Sequence, residues 1–165
     1  MRENNGRIKK WTLWTLLLAF LLVIGAYFYG TFLPHSQNRQ QVTALAQKYA
    51  HLTKVNKYYE FSYDGQNYQS VLGSNRQGKK IYAIVADNKR KINVYSSSKV
   101  ISARTAINYV KSKRQPKRIL KAVPGLIDHG KRPVWEVTYL NQEGNLCYTL
   151  MSLKNGTVIK EIRNL

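Results

Sequence analysis

From Trp11 to Leu33 the chain carries no charged side chain. This run constrains the fold more than any other feature. At ~1.5 Å per residue, about 22 residues of helix reach roughly 33 Å, near the thickness of a bilayer's hydrocarbon core. Arg2, Arg7, Lys9 and Lys10 precede the run, opposed only by Glu3, and the next charge is Arg39. The positive-inside bias predicts a single-pass protein of the cell membrane, with 1–10 as a cytoplasmic tail, 11–33 as the transmembrane helix and the remainder extracytoplasmic. Trp11 and Trp14 mark one interface; Tyr27, Phe28, Tyr29 and Phe32 mark the other. A cleaved signal peptide would have a shorter apolar region, about 7–15 residues, and then a small-x-small site. Here Gly25-Ala26 leads straight into aromatic residues, so an uncleaved anchor is expected.

Charge sets the second constraint. The chain holds 27 Lys and Arg against 8 Asp and Glu, a net of +19. Four of those cations and one of the anions precede residue 38, so the rest carries 23 against 7, or +16. Such a surface favours anionic partners. Its expected place outside the membrane argues for wall polymer or lipid and against nucleic acid. Cys147 is the only cysteine, so no intrachain disulfide is possible, and the 12 Tyr, 3 Trp and 4 Phe must help supply the core. A lone thiol inside a strand pattern reads as a small buried residue.

Beyond the anchor, Pro34-His35-Ser36 reads as a break. Gln37 to Leu52 then reads as a helix, with Val42, Leu45, Ala46 and Tyr49 at i, i+3, i+4 and i+7. Strand candidates follow at Lys57–Tyr63, Tyr68–Leu72, Ile81–Ala86 and Lys91–Tyr95, separated by Asp64-Gly65, by Gly73 to Gly78 and by Asp87-Asn88. Ser102 is a reasonable N-cap for a second helix, with Ala103, Ala106, Ile107 and Val110 repeating at the same spacing and Pro116 ending it. Ile119–Val123 reads as a strand broken by Pro124-Gly125, and Gly130–Pro133 as a turn. Last comes a three-strand meander from Trp135 to Ile162. Trp135, Val137 and Tyr139 alternate with Glu136 and Thr138, and Glu143-Gly144 and Asn155-Gly156 supply the turns.

Helix then meander thus occurs twice. Tyr68-Gln69-Ser70-Val71 lies over Trp135-Glu136-Val137-Thr138, Gly78 over Gly144, Tyr82 over Tyr148 and Ile92 over Val158. Self-similarity at a long period predicts a duplicated unit, here 37–97 and 100–165. Each is about 60 residues, marginal alone, so the two are expected to pack as one body. The fold class is α+β: an N-terminal transmembrane helix, then two tandem helix-plus-antiparallel-meander units.

The anchor, the two small units and the segment Val134-Trp135-Glu136-Val137-Thr138-Tyr139, ending in Gly156-Thr157-Val158-Ile159, resemble the TseB-like (YpmB-like) proteins of low-GC Gram-positive bacteria. The resemblance covers essentially the whole chain and is most specific in its last 30 residues. It implies tandem PepSY-like, cystatin-like domains and a non-enzymatic regulator of cell wall elongation that binds a penicillin-binding protein. It also implies a second possibility, an inhibitor of a secreted peptidase, since PepSY relatives are regarded as such.

The residues themselves carry no catalytic constellation. His35, His51 and His129 have no metal-ligand spacing, a lone Cys147 makes no CxxC site, and Glu60, Asp64, Asp87, Asp128, Glu136, Glu143 and Glu161 show no acid–base pairing. No enzyme activity, cofactor or metal is expected. Asn155-Gly156-Thr157 matches a glycosylation sequon but is already explained as a hairpin turn. Two surfaces are candidates. Lys111, Lys113, Arg114, Lys117, Arg118 and Lys121, with Lys79, Lys80, Lys89, Arg90 and Lys91, form a candidate contact for anionic polymer or head groups. Tyr58, Tyr59, Phe61 and Tyr63 form a candidate protein contact. Alternation puts Tyr59, Phe61 and Tyr63 on one face and Tyr58 on the other, and only the exposed members can serve.

Overall fold

The computed structural model describes the backbone of residues 5–86 and 91–163, and the side chains of 11–29, 38–86 and 91–163. The expected turn at Asp87-Asn88, and Lys89 and Arg90, lie outside these residues. The chain divides into two compact units, 1–40 and 41–165. The first holds most of one helix, α1 (Asn5–Ala50). Its stretch Trp11–Tyr29 is long and apolar enough to cross a membrane, and none of it is buried within the protein. The break expected at Pro34 does not occur. A proline removes one N–H from the helical ladder and need not end the helix.

The second unit contains two four-stranded antiparallel sheets. The first has β1 (Leu52–Tyr63), β2 (Gln66–Asn75), β3 (Lys80–Ala86) and β4 (Ile92–Ser96), in that order. A short helical turn (Ser97–Lys99) leads to α2 (Ala103–Arg114), and then to β5 (Arg118–Ile127), β6 (Arg132–Leu140), β7 (Leu146–Ser152) and β8 (Val158–Ile162), again in sequence order. The strands start at Leu52, Gln66, Lys80 and Ile92 in one sheet and at Arg118, Arg132, Leu146 and Val158 in the other, a constant offset of 66. The turns repeat too. Gly78 N–H donates to Asn75 O (3.0 Å) and Gly144 N–H to Asn141 O (3.1 Å), and both glycines take positive φ.

That offset corrects the expected superposition by one residue. Gln69, not Tyr68, corresponds to Trp135. One residue along a strand reverses the face. Tyr68 therefore points away from the helix of its own unit, into the shared core, and its equivalent is Val134.

α1 ends at Ala50, two residues before the expected boundary. His51 takes a left-handed φ of 54° and Leu52 opens β1. Val42, Ala46 and Ala50 pack on Val71, Ala83 and Val85, leaving Tyr49 54% exposed. The buried stripe has period four, and the expected member Tyr49 falls off it. In α2, Ser102 caps as expected, its Oγ accepting from Thr105 N–H at 3.1 Å, and Ala106 and Val110 are buried.

The expected break at Pro124-Gly125 is also absent. β5 runs through both, paired with Trp135 and Val134. The Pro124 carbonyl accepts a hydrogen bond from Ser70 Oγ at 2.8 Å. Gly125 lies so close to the Phe61 ring that a Cβ there would overlap it. These residues mark a crossing of two sheets rather than a turn, the use glycine has where backbones approach closely. Trp135 sits in the shared core, fully buried. Its Nε1–H donates to Ile101 O at 3.0 Å. Tyr82 and Tyr59 meet it edge to face, at 5.6 and 6.4 Å between centroids.

Candidate functional site

β1 alternates as its sequence suggests. Tyr59, Phe61 and Tyr63 face the shared core, and Tyr58 packs toward α1. Phe61 is 2% exposed, so it contributes packing rather than surface. It stacks on Tyr63 and tilts against Tyr68. Tyr58, Tyr59 and Tyr63 are half-buried. Burial, and then the neighbouring Tyr82, push the Tyr59 phenol up to about 12. Burial also raises Tyr68, Tyr82 and Tyr95. Tyr63 lies under Lys160 Nζ, 5.6 Å from the ring centroid.

The basic segment divides into two kinds of residue. Arg114, in the last turn of α2, holds Glu161 of β8, with Nε 2.8 Å from Oε1. Lys121 Nζ lies 3.5 Å from Glu136 Oε1. Burial pushes Glu161 up, but hydrogen bonds from Arg163 and Arg114, with their charges, outweigh it and hold the carboxyl below its usual range. Lys111, Lys113, Lys117 and Arg118 are exposed, and no ion pair among the described residues engages them. Lys111, Lys117 and Arg118 line a shallow depression of about 560 Å³. Lys79, Lys80 and Lys91 are exposed on the first sheet.

His51 stands at the end of α1, and His129 lies in the turn after β5, with Nδ1 3.2 Å from Gln66 Nε2. His35 lies outside the described side chains. Cys147 is buried. Asp128 pairs with Arg132 at 3.0 Å. Among the described residues no group of three His, Cys, Asp or Glu converges as a metal site would.

One concave surface among the described residues carries no sequence signature. It joins two hollows, of about 670 and 550 Å³, that share Asn75, Ile81 and Val94. The first runs from Tyr49 and His51 past Arg76; the second continues by Lys79 and Lys80 to Lys99. No periodicity announces this groove, because its lining is spread over α1, β1, β3 and β4. The one available signal was Tyr49, the residue that does not fit a period-four stripe.

The architecture defines a class of protein: an apolar helix that marks a single-pass membrane protein or signal anchor, followed by a tandem pair of helix-plus-meander units. Residues 41–86 match the model of the cell wall elongation regulator TseB-like domain. The chain is 26% identical, over 148 residues covering 89% of it and 90% of the relative, to the Bacillus subtilis (strain 168) protein described as "Probable cell wall elongation regulator TseB". The solved structure of the YpmB protein from Bacillus subtilis superposes with a TM-score of 0.65 at 26% identity, covering 75% of this chain and 95% of that one. Together these likenesses support a relationship to the TseB-like (YpmB-like) proteins, which are described as cell wall elongation regulators.

Proposed function

We propose that this protein regulates wall elongation by binding a penicillin-binding protein outside the membrane, without catalysing a reaction itself. The observation that carries the reading is the likeness to a probable cell wall elongation regulator along 89% of the chain. The charge bias about the apolar run supports a cytoplasmic N-terminus, with 1–10 as the tail, 11–33 as the span, and units 37–97 and 100–165 outside. Tyr58, Tyr59 and Tyr63 remain candidates for the partner contact, half-buried aromatic residues of the kind that interfaces favour. Crosslinking of tagged full-length protein in its native membrane tests the reading. The expected result is capture of a penicillin-binding protein that is lost when the outer unit is removed. Capture of a secreted peptidase instead would overturn it in favour of the inhibitor reading.

A second reading has its own observation. The exposed set Lys111, Lys113, Lys117 and Arg118, with no ion pair among the described residues, suits anionic wall polymer or lipid head groups. Binding to wall material that survives in high salt would count against it.

A further inference from the structure

The duplication permits a comparison inside the chain. Ala83 on β3 and Thr149 on β7 are counterparts at the offset of 66, and their partners across the ladder are Val94 and Glu161. The two helices end at Ala50 and Arg114. In the second repeat Arg114 spans from the helix end to Glu161 on the outer strand and closes the space between them. In the first repeat the last residue of the helix is Ala50, and the ladder partner of Ala83 is Val94. A methyl group cannot cross that distance, and Val94 is left 44% exposed. The groove beside Tyr49, Ile81 and Val94 is what remains open.

Three properties of the groove bear on what fills it. Its floor is apolar, with Ile81 and Val94. Its charged rim is cationic, with Arg76, Lys79, Lys80 and Lys99, and no acidic side chain lines it among the described residues. Its side is β4, the outermost strand, which pairs only with β3 among the described residues. An outer strand offers a row of backbone donors and acceptors to another extended chain.

We propose that this groove docks an extended acidic segment of a partner protein as an added strand beside β4, with alternate apolar side chains over Val94 and Ile81 and carboxylates at the lysine-rich rim. The period-two alternation of a strand delivers both kinds of side chain to one site. A second copy of this chain is disfavoured by charge, since the part beyond residue 37 carries +16. An anionic polymer would satisfy the rim but leave the apolar floor and the strand edge unused. The proposal rests on the reading of the chain as a partner-binding regulator, and it names the chemistry of the partner segment.

The test uses full-length protein in nanodiscs of zwitterionic lipid. The probes are a labelled short peptide alternating valine with glutamate and a matched peptide alternating valine with lysine. The decisive variant is Ala50→Arg with Val94→Glu, which builds the bridge of the second repeat into the first. The acidic peptide should bind the wild type, and the basic one should not. The double variant should lose about tenfold or more in affinity, as should Lys79→Glu with Lys80→Glu, two exposed changes that decide the matter if the first variant melts early. No binding of the acidic peptide, equal binding of the basic one, or equal affinity in the variants overturns the proposal. Dimers formed through β4 in light scattering overturn it also. Crosslinking in native membranes separates the two readings. A penicillin-binding protein captured equally by wild type and double variant overturns the groove and leaves the regulator reading intact. Groove binding of the acidic peptide with no such capture from wild-type membranes overturns the regulator reading alone.

Discussion

Gly125 on β5 presses its backbone against the ring of Phe61 on β1, and a Cβ at that position would lie inside the ring. The pair sits where one sheet crosses the other. The hydrogen bond from Ser70 Oγ to the Pro124 carbonyl, 2.8 Å, fixes the same crossing one residue away. Phe61 is fully packed, touching Tyr63 and Tyr68, so it cannot swing aside without moving its neighbours. Tight interiors transmit such insults rather than absorb them.

Gly125→Ala should therefore destabilise the unit 41–165 by about 1–3 kcal/mol, the usual cost of overpacking. Urea unfolding of the full-length protein in detergent checks this. Phe61→Leu should recover part of the loss when combined with it, because residues in contact couple. Strict additivity of the two changes would show that the glycine is not reading the ring.

The bridge from Arg114 to Glu161 gives a pH-dependent prediction. The carboxyl sits below its ordinary range because two arginines outweigh the effect of burial. A depressed carboxyl pKa supplies stability that is present above the unfolded value, about 4.3, and is lost as pH falls through the folded one. Arg114→Met should cost about 1–2 kcal/mol at neutral pH, between the values for exposed and buried pairs. The penalty should shrink in unfolding curves measured below about pH 4. A penalty independent of pH would assign it to lost packing of the arginine stem.

Much of this fold was legible along the chain, for reasons that also explain what was not. Trp135, Val137 and Tyr139 announced β6 by alternating with Glu136 and Thr138, although the fold buries both faces of that strand, and Gly78 and Gly144 announced their turns because both need positive φ. Pro124-Gly125 used the same residue types for another purpose, close approach, and so resembled a turn. Pro34 resembled a stop although α1 continues through it. The superposition slipped by one residue, at Tyr68, because aromatic identity is a weaker guide than face. Arg114 and Glu161, and the groove beside Val94, depend on residues brought together by the ladder from distant parts of the chain. Local pattern carries no record of them. Among the candidate tyrosines, alternation separated the faces of Tyr58 and Tyr59, yet how deeply each sits depends on Trp135 and Tyr82 arriving from elsewhere.

Tyr59 supplies an alkaline prediction. Its folded pKa, about 12, lies above the unfolded value because burial, and then Tyr82, disfavour the phenolate. A raised pKa gives stability that is fully present below the unfolded value, about 10, and is lost as pH rises through the folded one. The unit 41–165 should loosen between about pH 10 and 12, seen as tyrosine ionisation in ultraviolet titration coinciding with loss of Trp135 burial in fluorescence. Tyr59→Phe should move that midpoint upward, with Tyr82 and Tyr95 setting what remains. Ionisation of Tyr59 near its ordinary value in the folded protein would refute the effect.

The basic segment offers a comparison within itself. Lys111, Lys113, Lys117 and Arg118 face solvent without a carboxylate partner among the described residues, whereas Arg114 and Lys121 are engaged with Glu161 and Glu136. If the segment meets anionic polymer or lipid, the free set should carry the attraction. Near an anionic membrane each cation is worth about 1 kcal/mol, and the effect fades beyond roughly 8–10 Å at physiological salt. Changing the four free residues to Gln should weaken co-sedimentation with phosphatidylglycerol vesicles, or with isolated walls, by orders of magnitude at low salt. Arg114→Gln with Lys121→Gln should cost far less binding, but more thermal stability, because those side chains hold the fold together. Equal losses from the two sets would mean that net charge alone acts. No loss from the four-residue change would leave the surface a solvated face.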